Sequence, residues 1–100
     1  MIYITQLIYV NGGQEGVFHE FESYAIPIIK KYDGELMLRI RPDAKNFIEA
    51  SVEQPYEIHI VRFNSQQDFD NFLNDEERVK YLGLKEQSIR ESFLIKGEAL

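Results

Sequence analysis

Hydrophobic positions alternate along the first ten residues in a way that leaves neither face of the segment polar. Ile2, Ile4, Ile8 and Val10 share one face with Gln6, whereas Tyr3, Leu7 and Tyr9 share the other with Thr5. A strand covered on one side alternates apolar and polar residues, and one covered on both sides is apolar throughout. The rest of the chain supplies helix enough for a single covering layer. A surface outside the chain is therefore expected over the second face, which points to a homodimer whose two sheets meet.

Asn11-Gly12-Gly13 ends this strand with turn chemistry. From Gln14 to Tyr32 the period becomes helical, with Val17, Phe18, Phe21, Tyr24, Ala25, Ile28 and Ile29 on one stripe. Glu15, Glu20 and Glu22 lie early and Lys30 and Lys31 late, as the helix dipole favours. Pro27 is expected to kink the helix near Ser23 without ending it, because the stripe continues in phase beyond it. Asp33-Gly34 stops the helix, with Gly34 suited to a left-handed cap.

Glu35 to Arg41 alternates as a strand closed by Pro42, residues 43 to 55 read as an exposed connection, and Tyr56 to Phe63 alternates again. Leu36, Leu38, Ile40, Tyr56, Ile58 and Ile60 form the face expected against the helices. Glu35, Met37, Arg39, Arg41, Glu57, His59, Val61 and Phe63 form the opposite one. Ser65 followed by Asp68 opens a helix carrying Phe69, Phe72 and Leu73 inward. A further helical segment from Asp75 to Leu82 is expected to turn Val79 and Leu82 inward and to close at Gly83. Leu84 to Arg90 reads as either loop or short helix, and Ser92 to Lys96 is the last strand.

Strand, helix, strand, strand, helix, strand is the split βαβ, or ferredoxin-like, order. It predicts an α+β fold, βαββαβ, in which a four-stranded antiparallel sheet has its helices on one face. The expectation is one domain over residues 1–100.

Composition narrows the function without naming it. A hydrophobic content of 44% excludes a disordered chain, and a net charge of -6 argues against nucleic acid or an anionic membrane as partner. The absence of cysteine removes disulfides, thiolate catalysis and cysteine-held metal sites. The apolar N-terminus lacks a basic leader and is broken by Thr5 and Gln6, so it reads as a strand and not a signal peptide. A cytoplasmic protein is expected.

The chemistry-bearing residues fall mainly on the two middle strands. As antiparallel neighbours these strands bring Arg39 and Arg41 onto the face of Glu57 and His59. A histidine beside a carboxylate can act as a general base, and an arginine can hold a carboxylate or enolate oxygen. His59 and Glu57 are thus the candidate catalytic pair, and Arg39, Arg41, Thr5 and Gln6 the candidate substrate-binding residues, expected in the space between subunits. The same pattern also reads as a cross-strand ion pair beside a structural histidine. His19 reads as a solvated residue of the helix's polar side. Tyr24 and Tyr32 read as core residues with their hydroxyls at an edge. With two histidines on separate elements and no phosphate loop or nucleophile elbow, neither a metal nor an organic cofactor is expected.

The run Phe21-Glu22-Ser23-Tyr24-Ala25-Ile26-Pro27-Ile28-Ile29-Lys30-Lys31-Tyr32, followed by Asp33-Gly34-Glu35-Leu36 and Arg39, resembles the small dimeric α+β barrel proteins. In particular it is similar to an uncharacterised bacterial domain family in which a Tyr-Ala-x-Pro helix leads through a glycine turn into an arginine-bearing strand. Asp75-Glu76-Glu77-Arg78, Leu84-Lys85 and Leu94-Ile95-Lys96-Gly97 match that family's closing segment more loosely. The resemblance implies a homodimer with its sheets packed face to face. Relatives include cofactor-independent monooxygenases, small isomerases and haem-degrading enzymes. A protein that binds or converts a small organic molecule in the barrel is implied, with a non-catalytic structural dimer as the alternative.

Overall fold

The computed structural model describes all 100 residues. Strand β1 (Ile2–Val10) leads through a glycine turn into helix α1 (Glu15–Ile28), which runs through Pro27 and tightens into a 3-10 turn at Ile29–Tyr32. Strands β2 (Glu35–Ile40) and β3 (Glu57–Phe63) follow, then helices α2 (Gln66–Leu73), α3 (Glu76–Lys80) and α4 (Leu82–Ser88), then strand β4 (Ile89–Gly97). The sheet order is β2-β3-β1-β4, antiparallel throughout. Pro27 lacks the N–H that would bond to the carbonyl of Ser23, yet packing carries the helix past it, since Ala25, Ile28 and Ile29 are all buried.

Which face meets the helices is the first correction. The core joins Ile4, Ile29, Val61, Phe63 and Phe69, with Ile2, Ile26, Tyr32, Leu36, Phe72 and Leu73 packed around them. Val61 and Phe63, and with them Glu57 and His59, therefore face the helices and not a partner subunit. Along β2 the pairing slips: Leu36 lies opposite Val61, but Leu38 lies opposite Ile60 and Arg39 opposite His59. The bulge at Met37 adds one residue, and a one-residue slip reverses the side on which every later side chain falls. Leu36 thus stays in the core while Leu38 and Ile40 turn to the open face, 40% and 43% exposed. Arg39 and Arg41 turn beneath the helices.

The open face carries Tyr3, Thr5 and Leu7 of β1, opposite Arg62, Ile60 and Ile58 of β3. Gly97, Ile95 and Phe93 of β4 flank the same three residues on the other side. Tyr9 is buried at its end, where its hydroxyl donates to the carbonyl of Glu53 at 2.8 Å and its ring meets Phe93 edge-on. The connection over 43–55 is mostly exposed, as expected; it includes an exposed 3-10 turn at Ala44–Asn46 and ends at buried Pro55.

Three local readings change. The left-handed residue after α1 is Asp33 (φ 58°), not Gly34. Gly34 is required for close approach: a Cβ there would stand 2.7 Å from both Ile29 Cγ2 and Phe63 Cε1 and 3.0 Å from the Ile29 carbonyl oxygen. Gly34→Ala is expected to cost roughly 1–3 kcal/mol by overpacking, read as a lowered denaturation midpoint at an unchanged slope. Ser65 does cap α2, accepting the Asp68 N–H at 3.1 Å. The segment after it, however, breaks into two short helices: Val79 is exposed, and Gly83 lies inside α4 instead of closing a helix.

No helix is long and apolar enough to cross a membrane.

Candidate functional site

Two adjacent rows of the sheet's helix side carry the site. One row runs Arg39, His59, Gln6, Leu94 and the next runs from Glu57 to Ile8 and Ser92, with Arg41 reaching Glu57 from the end of β2. Glu22 of α1 comes down onto both rows. It sits one helical turn after Phe18 and one before Ala25, so it occupies the apolar stripe itself and is 3% exposed.

The five side chains form one network. Arg39 donates from Nη2 to Glu22 Oε1 at 2.7 Å, and its Nε lies 3.4 Å from Glu57 Oε2. Arg41 donates from Nε to Glu57 Oε1 at 2.8 Å. His59 Nε2 stands between the carboxylates, in short contact with Glu57 Oε2 and 3.0 Å from Glu22 Oε2. A single N–H cannot align with both, and Glu22 Oε2 is left buried without a hydrogen-bond partner.

Burial works to raise the Glu57 carboxyl, but the His59 contact, Glu22 and the Arg41 guanidinium outweigh it and hold it well below the usual range. Burial is also the largest influence on Glu22, and with the neighbouring Glu57 it raises that carboxyl against the pull of His59 and Arg39. For His59 burial would lower the imidazole, yet Glu22 and Glu57 prevail and raise it. The three groups therefore favour an imidazolium beside one firmly ionised carboxylate, with a second carboxyl closer to protonation.

A pH dependence follows from these directions. A raised histidine contributes stability that is complete below its unfolded value of about 6.5 and is lost as pH rises through the folded value. Raised Glu22 acts in the same sense from its ordinary 4.5 upward. Lowered Glu57 contributes above 4.5 and is constant near neutrality. Unfolding free energy is thus expected to fall as pH rises above about 6.5, and His59→Gln to flatten that slope. Equally flat urea curves for wild type and variant would show that no proton is held there.

Beside the network, between sheet and helices, lies a cavity of about 100 Å³, lined mostly by apolar side chains including Phe18, Phe21, Ala25 and Phe72. Gln6, Glu22 and His59 form part of its wall, with Arg78 and Lys85 elsewhere on it. On the outer side, Arg39, Ile40, Arg41 and Glu57 line a solvent-facing depression of about 330 Å³. The network thus lies between the cavity and this depression.

The structure brings His59, Glu57, Arg39 and Arg41 together and sets Gln6 beside His59. It separates Thr5, which points to the open face opposite Ile60. The cluster also lies within one chain, not in the space between subunits. Sequence reasoning placed Glu22 as a dipole partner and missed its role; the signal was its i+4 spacing from Phe18 inside the apolar stripe. His19 is not simply solvated: its Nε2 meets the Tyr56 hydroxyl at 2.6 Å, and the two rings stack. Tyr56 thereby packs under α1. Tyr32 donates to Asp75 Oδ2 at 2.6 Å, while Tyr24 stacks on Tyr81.

Glu22, Glu57 and His59 each offer a ligand atom within 4.8 Å of the others, a set able to hold a metal ion. Arg39 and Arg41 already occupy both carboxylates, so a cation would have to displace them.

No protein-family model and no curated protein matches the chain. Solved structures do match it over nearly its whole length. A protein of unknown function from Rhodopseudomonas palustris superposes with a TM-score of 0.84 at 13% identity, covering 99% of this chain and 82% of that one. A dimeric ferredoxin-like protein of unknown function from Jannaschia sp. CCS1 gives 0.73 at 16% identity, covering 98% of each chain. The fold is ferredoxin-like. An antibiotic biosynthesis monooxygenase gives 0.73 at 9% identity, covering 100% of this chain and 99% of that one. The shared architecture hosts several functions, so chemistry has to be argued from the site.

Proposed function

We propose that this protein is a homodimer that binds a small organic molecule in the cavity between sheet and helices and exchanges a proton with it. The observation that carries the reading is Glu22: a buried carboxyl with an unpartnered oxygen in the wall of an apolar enclosure. Such a carboxyl, raised by burial, is suited to accept a proton from an acidic O–H or C–H of a bound molecule. His59 and Glu57 lie behind it, and Arg39 and Arg41 hold both carboxylates in place. No organic cofactor is needed for proton exchange of this kind.

Dimerisation is supported by the uncovered apolar face of the sheet and by a matching protein from Jannaschia described as dimeric. A non-catalytic dimer is the second reading, favoured by the fact that the arginines already satisfy most carboxylate oxygens.

The cavity itself supplies the test. Ala25 lines it, and Ala25→Leu should fill it while leaving the fold intact. Ligand-detected NMR of a panel of single-ring and short-chain compounds is expected to find binders whose signal disappears in that variant. Deuterium uptake from D2O at an acidic C–H of a bound compound is expected in wild type and not in Glu22→Gln. A panel with no compound sensitive to Ala25→Leu would leave the non-catalytic reading.

A further inference from the structure

Arg78 and Lys85 line the same cavity, and neither is held in an ion pair. Arg78 is 8% exposed; its Nη1 donates to the Leu73 carbonyl at 3.1 Å, while its Nε is buried without any partner. Its guanidinium lies 5.0 Å from the Phe72 ring centroid and 6.0 Å from that of Phe21. Asp75, the acid three residues before it, is already engaged. Its Oδ1 accepts the backbone N–H groups of Glu77 and Arg78 at 3.0 Å each, and its Oδ2 takes Lys31 at 2.9 Å and Tyr32 at 2.6 Å. Lys85 is partly buried on the same wall, and neither it nor Arg78 takes part in any of the protein's ion pairs.

Two cations on the wall of one largely apolar cavity are unfavourable unless something negative joins them. Burial and then the Arg78 charge lower the Lys85 ammonium, against a smaller opposing pull from Glu86. The one carboxylate on the wall, Glu22, does not relieve it, since it is bound to Arg39. The unpartnered donors and the empty apolar volume therefore call for the same occupant.

We propose that the cavity takes a small organic acid, with its carboxylate between Arg78 and Lys85 and its apolar body against Phe21, Ala25 and Phe72. This deepens the cavity reading above and rests on it. The remaining polar wall, Gln6, Glu22 and His59, then faces the rest of the molecule. A cavity of about 150 Å³ is known to hold benzene, so the 100 Å³ here suits a short branched chain and is tight for a ring.

Isovalerate, 2-ketoisovalerate and benzoate, each beside its primary amide, are the probes, titrated into the full chain by calorimetry. At least one acid is expected to bind, to raise the melting temperature by several degrees at saturating concentration, and to exceed its amide by roughly tenfold or more. Lys85→Met keeps the aliphatic stem and should lose about tenfold or more in affinity for the acid, whereas Lys85→Arg should keep it. Arg78 packs on two aromatic rings and its removal can unfold the chain, so Lys85 carries the test. Acids and amides that bind equally, both blocked by Ala25→Leu, would overturn the acid assignment and leave the cavity reading standing. Failure of every acid, with binding of unrelated neutral compounds from the wider panel, would do the same. Failure of all compounds would overturn both.

Discussion

Replacing Glu57 by alanine is expected to lower the unfolding free energy by about 3 kcal/mol, a large share of the roughly 5–15 kcal/mol typical of a domain. Glu57 is fully buried and touches Arg39, Arg41 and His59 together. Its loss leaves a 7%-exposed imidazolium against a single remaining carboxylate, with a void behind it. The two arginines are 37% and 46% exposed and can turn toward water, which keeps the cost below that of a wholly buried charge. For the same reason Arg41→Ala is expected to cost less than about 1 kcal/mol, and His59→Ala about 1–3 kcal/mol. Guanidinium unfolding at pH 7 ranks the three. A Glu57→Ala loss no larger than that of Arg41→Ala would show that the network is a surface feature without structural weight.

Ile60→Asp is expected to convert the proposed dimer to monomers. Ile60 sits on central strand β3 between Thr5 and Leu38, in the middle of the open face. Around it Leu38, Ile40, Phe93 and Ile95 are 40–57% exposed in the single chain, a concentration of apolar surface unusual for a monomer. A two-fold interface repeats every substitution, so one change buries two unpaired carboxylates, and self-association should weaken roughly a thousandfold or more. Sedimentation equilibrium at micromolar concentration should give twice the chain mass for wild type and the chain mass for the variant. The core lies on the other side of the sheet, so helical circular dichroism should survive. A wild-type monomer would overturn the dimer directly.

The limits of what can be read from the chain are visible in β2 and β3. A period of two shows which residues share a face, and Arg39, Arg41, Glu57 and His59 do share one. It does not show which face the helices will cover when both carry apolar residues, as Ile58 and Ile60 on one side and Val61 and Phe63 on the other do. The assignment of Leu38, Ile40, Ile58 and Ile60 to the core failed for that reason. The bulge at Met37 compounded it, because no turn residue or glycine marks the extra position, and only pairing with β3 reveals the slip.

By itself the sequence determined the element order, the antiparallel sheet, the continuous first helix through Pro27, the Ser65 cap and the presence of one apolar sheet face too many. Those features rest on local spacing, turn chemistry and composition, which act over a few residues. The tertiary structure alone decided that the charged face of β3 lies inside, that Glu22 closes over it, that Thr5 stands apart, and that Arg78 and Lys85 share its cavity. Each of these depends on contacts between segments distant in the sequence, where the winning arrangement is set by total burial and charge pairing across the whole fold. Glu22 shows the difference in one residue. Its place in an apolar stripe was legible in the spacing, but its purpose was not until Arg39, Glu57 and His59 arrived beneath it.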